Sequence, residues 1–126
     1  MNILGIDHVV MTVRDIAATI SFYKRALGLT HVVFDEGHYA LHCGSQKINL
    51  HPAGREYEPH ASRPQTGSAD LCFVSSGKID EVVEQLRTAG IAIEHGPVQQ
   101  IGARGQMMSV YFRDLDGNLI EVACYA

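Results

Sequence analysis

Gly5 to Leu29, GIDHVVMTVRDIAATISFYKRALGL, lies without a gap over Gly67 to Ile91, GSADLCFVSSGKIDEVVEQLRTAGI. In this superposition His8 falls on Asp70 and Gly28 on Gly90, and an apolar run follows each of the two polar residues. Each stretch reads as a strand, an amphipathic helix, a glycine stop and then further strands. Self-similarity of this kind fixes architecture before any single element does. Two related halves packed about a pseudo-twofold axis bring His8 and Asp70 together, which makes that pair the first candidate site.

The elements follow from local pattern. Ile3 to Val13 reads as a mostly buried strand. Asp15 is the N-cap of a helix from Ile16 to Leu27, where Ile16, Ile20, Tyr23 and Leu27 recur at helical spacing, and Gly28 supplies the left-handed residue that ends it. Strands follow near Leu29–Asp35, Tyr39–Cys43 and Lys47–His51, with turn glycines Gly37 and Gly44 between them. The second half repeats the plan: a strand over Ala69–Val74, a helix over Lys78–Ala89, Gly90 as stop, then strands near Ile91–Glu94, Gln106–Arg113 and Asn118–Cys124. The Asp116-Gly117 turn makes the last two a hairpin. The chain is thus expected to be one domain over residues 1–126, with module one at 3–51, a linker at 52–67 and module two at 68–126. The linker holds three prolines and no apolar periodicity, and is expected to cover a cavity as it crosses between half-sheets. Gly96 to Gly105, with three glycines and a proline, reads as a mobile flap.

Composition narrows the function classes. The chain has 126 residues, 46% of them hydrophobic, with mean hydropathy +0.00 and a formal charge of −4. That describes an ordinary soluble globule. Its ten Lys and Arg are scattered, which argues against a nucleic-acid partner. No apolar run is long enough to span a bilayer, and Met1 to Asp7 lacks the pattern of a signal peptide, so cytoplasm is the expected location. Cys43, Cys72 and Cys124 show no paired spacing, which argues against a disulfide framework or a cysteine-built zinc site.

The last strands also match across the repeat. Gly44-Ser45-Gln46-Lys47-Ile48-Asn49-Leu50 resembles Gly117-Asn118-Leu119-Ile120-Glu121-Val122, so Asn49 corresponds to Glu121 after a one-residue slip in the turn. Four strands then each carry one polar residue expected to point inward: His8, Asn49, Asp70 and Glu121. Residues in phase with His8, Asp70 and Glu121 are mostly apolar, which favours burial. A buried carboxylate must be paired, hydrogen-bonded or bound to a metal. An imidazole and two carboxylates suit Zn²⁺, Mn²⁺, Ni²⁺ or Fe²⁺ and leave a coordination position open. The plainer alternatives are a hydrogen-bonded core histidine and salt bridges from Asp70 and Glu121 to arginines.

Ser109-Val110-Tyr111-Phe112-Arg113-Asp114-Leu115-Asp116-Gly117-Asn118-Leu119-Ile120-Glu121 resembles a motif of the vicinal-oxygen-chelate (VOC) superfamily, as does Ile6-Asp7-His8-Val9-Val10-Met11-Thr12-Val13 with Phe22-Tyr23 and Leu27-Gly28-Leu29. That superfamily includes glyoxalase I, fosfomycin-resistance transferases, bleomycin-resistance proteins and extradiol dioxygenases. Within it, Lys47-Ile48-Asn49-Leu50-His51 and Gly67-Ser68-Ala69-Asp70-Leu71-Cys72 are similar to the glyoxalase-domain-containing protein 5 group, which has bacterial virulence-associated members. The resemblance implies an α+β fold of two βαβββ modules forming a cupped mixed sheet around a divalent metal. It also implies His8, Asp70 and Glu121 as ligands, with Asn49 where glyoxalase I has a glutamate. Ser109 and Tyr111 fall where fosfomycin transferases contact substrate, and Arg104 precedes them to meet an anionic group. Thr12, where bacterial glyoxalase I has an arginine, and Asn49 argue against orthodox glutathione-dependent activity. Asp70 in place of a second histidine argues against an extradiol dioxygenase.

Two functions follow as expectations. One is a lactoylglutathione-lyase-like metalloenzyme (a lyase, isomerase or transferase) whose small substrate is chelated through neighbouring oxygens, with Glu121 or His51 moving a proton. The other is a metal-free binding protein of the bleomycin-resistance type. Tyr39 and Tyr57 read as packing residues, and a homodimer is expected on family grounds.

Overall fold

A computed structural model describes residues 1–125. The elements run β1 (His8–Val13), α1 (Ile16–Leu27), β2 (Thr30–Phe34), β3 (His38–Cys43), β4 (Gln46–Pro52), β5 (Asp70–Val74), α2 (Ile79–Thr88), β6 (His95–Gly102), β7 (Gly105–Arg113) and β8 (Leu119–Tyr125). They divide into two compact units, the first Met1–Gly67 and the second beginning at Ser68. Each unit is a four-stranded mixed sheet with one helix. The strand orders are β1-β4-β3-β2 and β5-β8-β7-β6, and in each the first two strands are parallel and the rest antiparallel. This is the βαβββ plan twice over.

The first unit forms as its sequence dictates, with two adjustments. The Asp15 carboxylate accepts a hydrogen bond from the Ala18 N–H at 2.9 Å, and Gly28 adopts φ 69° while its N–H reaches the Lys24 carbonyl. Both ends of α1 are therefore satisfied. Its buried line is Thr19, Phe22, Tyr23 and Ala26, so the packed stripe is centred to one side of Ile16, Ile20 and Leu27. They cover Met11, Val13, Leu41, Ile48 and Leu50, all buried. Each such aliphatic side chain contributes about 1.5–3 kcal/mol. The second adjustment is at the start: residues 3–7 belong to no strand, and Ile3, Leu4 and Ile6 are exposed.

In the second unit α2 packs Leu86 against the side of the sheet that carries Val110, Phe112, Ile120, Val122 and Cys124. The expected strand near Ile91–Glu94 is not formed. The chain there is irregular and the strand begins at His95. The expected flap from Gly96 to Gly105 is mostly strand too, since β6 and β7 close over the tight turn at Ala103-Arg104. Gly96 is required there: it has φ 100°, and a side chain on it would meet the Ser109 carbonyl oxygen. Gly96 thus serves close backbone approach, Gly102 leaves room for the Tyr125 and Met107 side chains, and Gly105 takes the positive φ that closes the turn.

The β7–β8 connection is held by a polar clamp. The Asp114 carboxylate accepts from the Asp116 N–H (3.0 Å), the Asn118 N–H (2.9 Å) and the Asn118 amide (2.8 Å). The Asn118 Oδ1 in turn accepts from the Ala69 N–H at 2.9 Å. Asn118 is 1% exposed. The clamp therefore ties together the residues just ahead of β5 and β8, beside Asp70 and three residues before Glu121.

Candidate functional site

Parallel partners and alternate residues share a face of a sheet, so register sorts the candidates. On the first unit's side away from α1 stand His8, Val10 and Thr12 of β1, Lys47, Asn49 and His51 of β4, and His38, Ala40 and His42 of β3. This is a polar face. Along β1 His8 has apolar neighbours in phase, whereas Lys47, Asn49 and His51 mark the face along β4. His8 and Val10 are exposed rather than buried, and the His8 Nδ1 lies 2.8 Å from the Asp7 carboxylate.

The other end of this face is covered. Tyr57, from the segment after β4, stacks on His38 with centroids 3.9 Å apart and meets His51 edge-on at 5.0 Å. His51 is only 8% exposed, and its Nδ1 is buried without a hydrogen-bond partner, as is the Asn49 Oδ1. Burial first, then nearby His38 and His60, push the His51 imidazole below its ordinary value, against an opposing pull from Glu56. It is thus kept neutral, as a proton acceptor must be.

The second unit's open face is built from the same addresses. Cys72 stands opposite Glu121 as Val10 stands opposite Asn49, and Asp70, like His8, is the first residue of its strand. The repeat read from sequence therefore holds in register. Tyr111 of β7 lies opposite Glu121 from the other side, and Ser109 is one step along. The Glu121 Oε2 is buried without a partner, and so is the Oγ of Ser109, a residue with 0% exposure. Burial, the Glu121 charge and its hydrogen bond, and then Asp70 push the Cys72 thiol up to about 11. Burial and Glu121 likewise raise Tyr111, with Gln100 hydrogen-bonded to it in opposition. Both therefore carry their protons at neutral pH and act as donors.

Within this unit Glu121, Tyr111, Ser109 and Cys72 form one cluster. Asp70 begins β5 one step away and is exposed rather than buried. Arg104 sits apart: its guanidinium lies 4.3 Å over the Tyr125 ring, which is about 13 Å along β8 from Glu121 at strand spacing. Arg113 is committed to Glu94 by bonds of 3.1 and 3.2 Å. Reasoning from sequence missed Cys72, whose only signal was its position two residues after Asp70. It also missed the clamp of Asp114 and Asn118. Among the described residues, no three or more His, Cys, Asp or Glu side chains are grouped so as to hold a metal ion.

Two small βαβββ units, each with a polar open face, define an α+β protein of the glyoxalase type. The chain belongs to the Glyoxalase/Bleomycin resistance protein/Dioxygenase superfamily, whose family model matches residues 5–122. It is 54% identical over 125 residues to virulence protein STM3117 of Salmonella typhimurium, covering 99% of this chain and 87% of that one. It is 47% identical to the glyoxalase domain-containing protein RDO1 of Mycosarcoma maydis (99% and 70%), and 28% identical to the metallothiol transferase FosB of Shouchella clausii (94% and 78%). The crystal structure of STM3117 superposes with a TM-score of 0.97 at 53% identity over the whole of both chains. The lactoylglutathione lyase of Agrobacterium tumefaciens superposes at 0.74 and 25% identity, covering 98% and 95%. Among the described residues no helix is long and apolar enough to cross a membrane.

Proposed function

We propose that this chain is a glyoxalase-like metal-dependent enzyme, a lyase, isomerase or transferase, acting on a small substrate that presents two neighbouring oxygens. The observation that carries the reading is the Glu121 Oε2, a buried carboxylate oxygen with no hydrogen-bond partner. A bare buried carboxylate oxygen costs several kcal/mol unless a cation or donor meets it, and a divalent cation fits that need. The residues that would hold it are Glu121, His8 and Asp70, with Asn49 as a weak fourth donor through its own unpartnered Oδ1. Mixed N/O donors of this kind accept Zn, Ni, Mn or Fe. When bound, the cation supplies Lewis-acid stabilisation of charge developing on substrate oxygens.

The chain's own groups do the rest. Ser109 and Tyr111 donate hydrogen bonds that orient the substrate, and Arg104 meets an anionic end by leaving its stack on Tyr125. His51, neutral and buried, accepts a proton at Nδ1, or the Glu121 carboxylate does so. The names of FosB as a metallothiol transferase and of the Agrobacterium protein as a lactoylglutathione lyase support chemistry of this class. Asn49 and Thr12 argue for a substrate other than the orthodox glutathione adduct. A small-molecule substrate, a cytoplasmic location and a homodimer belong to the same proposal.

The test is the metal content of protein purified without chelator, beside Glu121→Gln and His8→Ala. Near-stoichiometric transition metal in the wild type, lost in both variants, supports the reading and opens a screen of 2-oxoaldehyde adducts, epoxides and acyl-CoA epimers. No metal in any sample, with no rise in Tm on adding metal, overturns it. The second reading is then metal-free sequestration of a small molecule.

A further inference from the structure

The strands of the first sheet contain no Asp or Glu, in a chain whose formal charge is −4. Their open face instead carries Lys47, flanked in register by His8 of β1 and His42 of β3. The Lys47 ammonium lies 3.6 Å from the centroid of the Phe34 ring. Phe34 stands opposite His38, at the other end of β2 from Thr30, the partner of His42. The lysine stem therefore crosses the face diagonally, past Ala40, the smallest side chain on it. An aromatic wall meets it at the far end: Phe34 touches His38 edge-on with centroids 5.7 Å apart, and His38 carries the Tyr57 ring.

No carboxylate answers this charge. Asp7 is paired with His8 at 2.8 Å, Glu56 accepts from the Gly54 N–H at 2.7 Å, and Glu58 lies 3.3 Å from the His60 Nε2. Each acid bordering the face is thus turned to a neighbour of its own, and among the described residues Lys47 meets no carboxylate. An ammonium stacked on a ring keeps its hydrogen-bond donors free, and the ring holds it less strongly than an oxyanion does. Beside Ala40 in register is Asn49, whose Oδ1 is buried without a partner; its amide also has N–H donors.

We propose that the open face of the first unit is an oxyanion subsite: Lys47 swings off Phe34 and, over Ala40 and beside the Asn49 amide, pairs with the carboxylate or phosphate of a small ligand. Phe34 keeps the ammonium poised over the face beforehand, so less side-chain freedom is lost on binding. The proposal rests on the reading that these faces take a small substrate, and it assigns the charge at one end of that substrate. Arg104, in the second unit, is a separate contact.

The test is amide NMR of chelator-treated full-length protein, titrated with inorganic phosphate or with acetate at constant ionic strength. Expected are saturable shifts at β3 and β4 amides around Ala40, Lys47 and Asn49, with the tighter of the two anions naming the group. Lys47→Gln is expected to weaken binding about tenfold or more, and Lys47→Arg, which keeps the charge, to retain most of it. Lys78→Gln, which removes the same charge at the start of α2, is expected to bind as wild type does. Shifts that stay linear with both anions overturn the proposal, and so does unchanged affinity in Lys47→Gln. Equal weakening by Lys47→Gln and Lys78→Gln also overturns it, because that is the signature of net charge alone. Metal plays no part in this titration, so its outcome and that of the metal-content comparison are read separately.

Discussion

Asn118→Ala tests the clamp that starts β5 and β8. The side chain donates to the Asp114 carboxylate at 2.8 Å and accepts from the Ala69 N–H at 2.9 Å, in a residue 1% exposed. Truncation removes a charge-assisted bond of about 1.5–3 kcal/mol and leaves a backbone donor without its partner, a further ~1–3 kcal/mol. Water reaching the loop relieves part of this, so the expected net loss is about 3 kcal/mol. At roughly 4 °C per kcal/mol for a chain of this size, Tm should fall by about 12 °C. Urea unfolding measures the same quantity through the midpoint at unchanged slope. Asp114→Ala should cost a similar amount, and the double variant much less than the two together, because each removes the same bond. Native-state hydrogen exchange should speed up at Asp70 and Glu121, whose strands the clamp begins. A loss below about 1 kcal/mol for Asn118→Ala, or additivity with Asp114→Ala, would refute the reasoning that this network is a single buried unit.

Ser109→Ala should raise stability by about 0.5–1 kcal/mol, because it deletes a buried hydroxyl with no partner; a loss greater than that in urea unfolding would show that the hydroxyl is satisfied. The pH dependence of stability carries the His51 imprint. Its folded value lies below the ordinary one, so the unfolded chain binds the extra proton, and stability is full above about pH 6.5 and falls as pH drops through the folded value. His51→Gln should flatten that acid limb, and unchanged slopes in the two proteins would remove the effect. The metal-content comparison completes the set.

Helices and hairpins were legible because their determinants are local. Asp15, Gly28 and the Asp116-Gly117 turn act within a few residues of themselves, and α1 spans the residues its capping signals bracket. The repeat was legible too, since identical spacing forces identical register: Val10 faces Asn49 and Cys72 faces Glu121. What the sequence hid is non-local. Three glycines and a proline imitate a flap where β6 and β7 pair, because glycine marks close approach as readily as freedom. The polarity of the first open face comes from His38, His42, Lys47 and His51 on strands other than that of His8, so the apolar phase of β1 conceals it. Tyr57, read as packing, does pack, but onto two histidines of that face. Cys72 carried no functional signal of its own until register set it beside Glu121.

Alternation along the strands has a consequence for how such a chain changes over generations. Leu50, beside Asn49, and Ile120, beside Glu121, belong to the cores, whereas the polar residues between them do not. A half-chain copied and joined to itself therefore inherits a core it must keep and a set of open-face positions it is free to rewrite. At matching addresses one copy now carries valine with an amide and the other a thiol with a carboxylate. Descendants of this scaffold can exchange reactive groups between halves, one position at a time, while the packing that folds each half stays as it was.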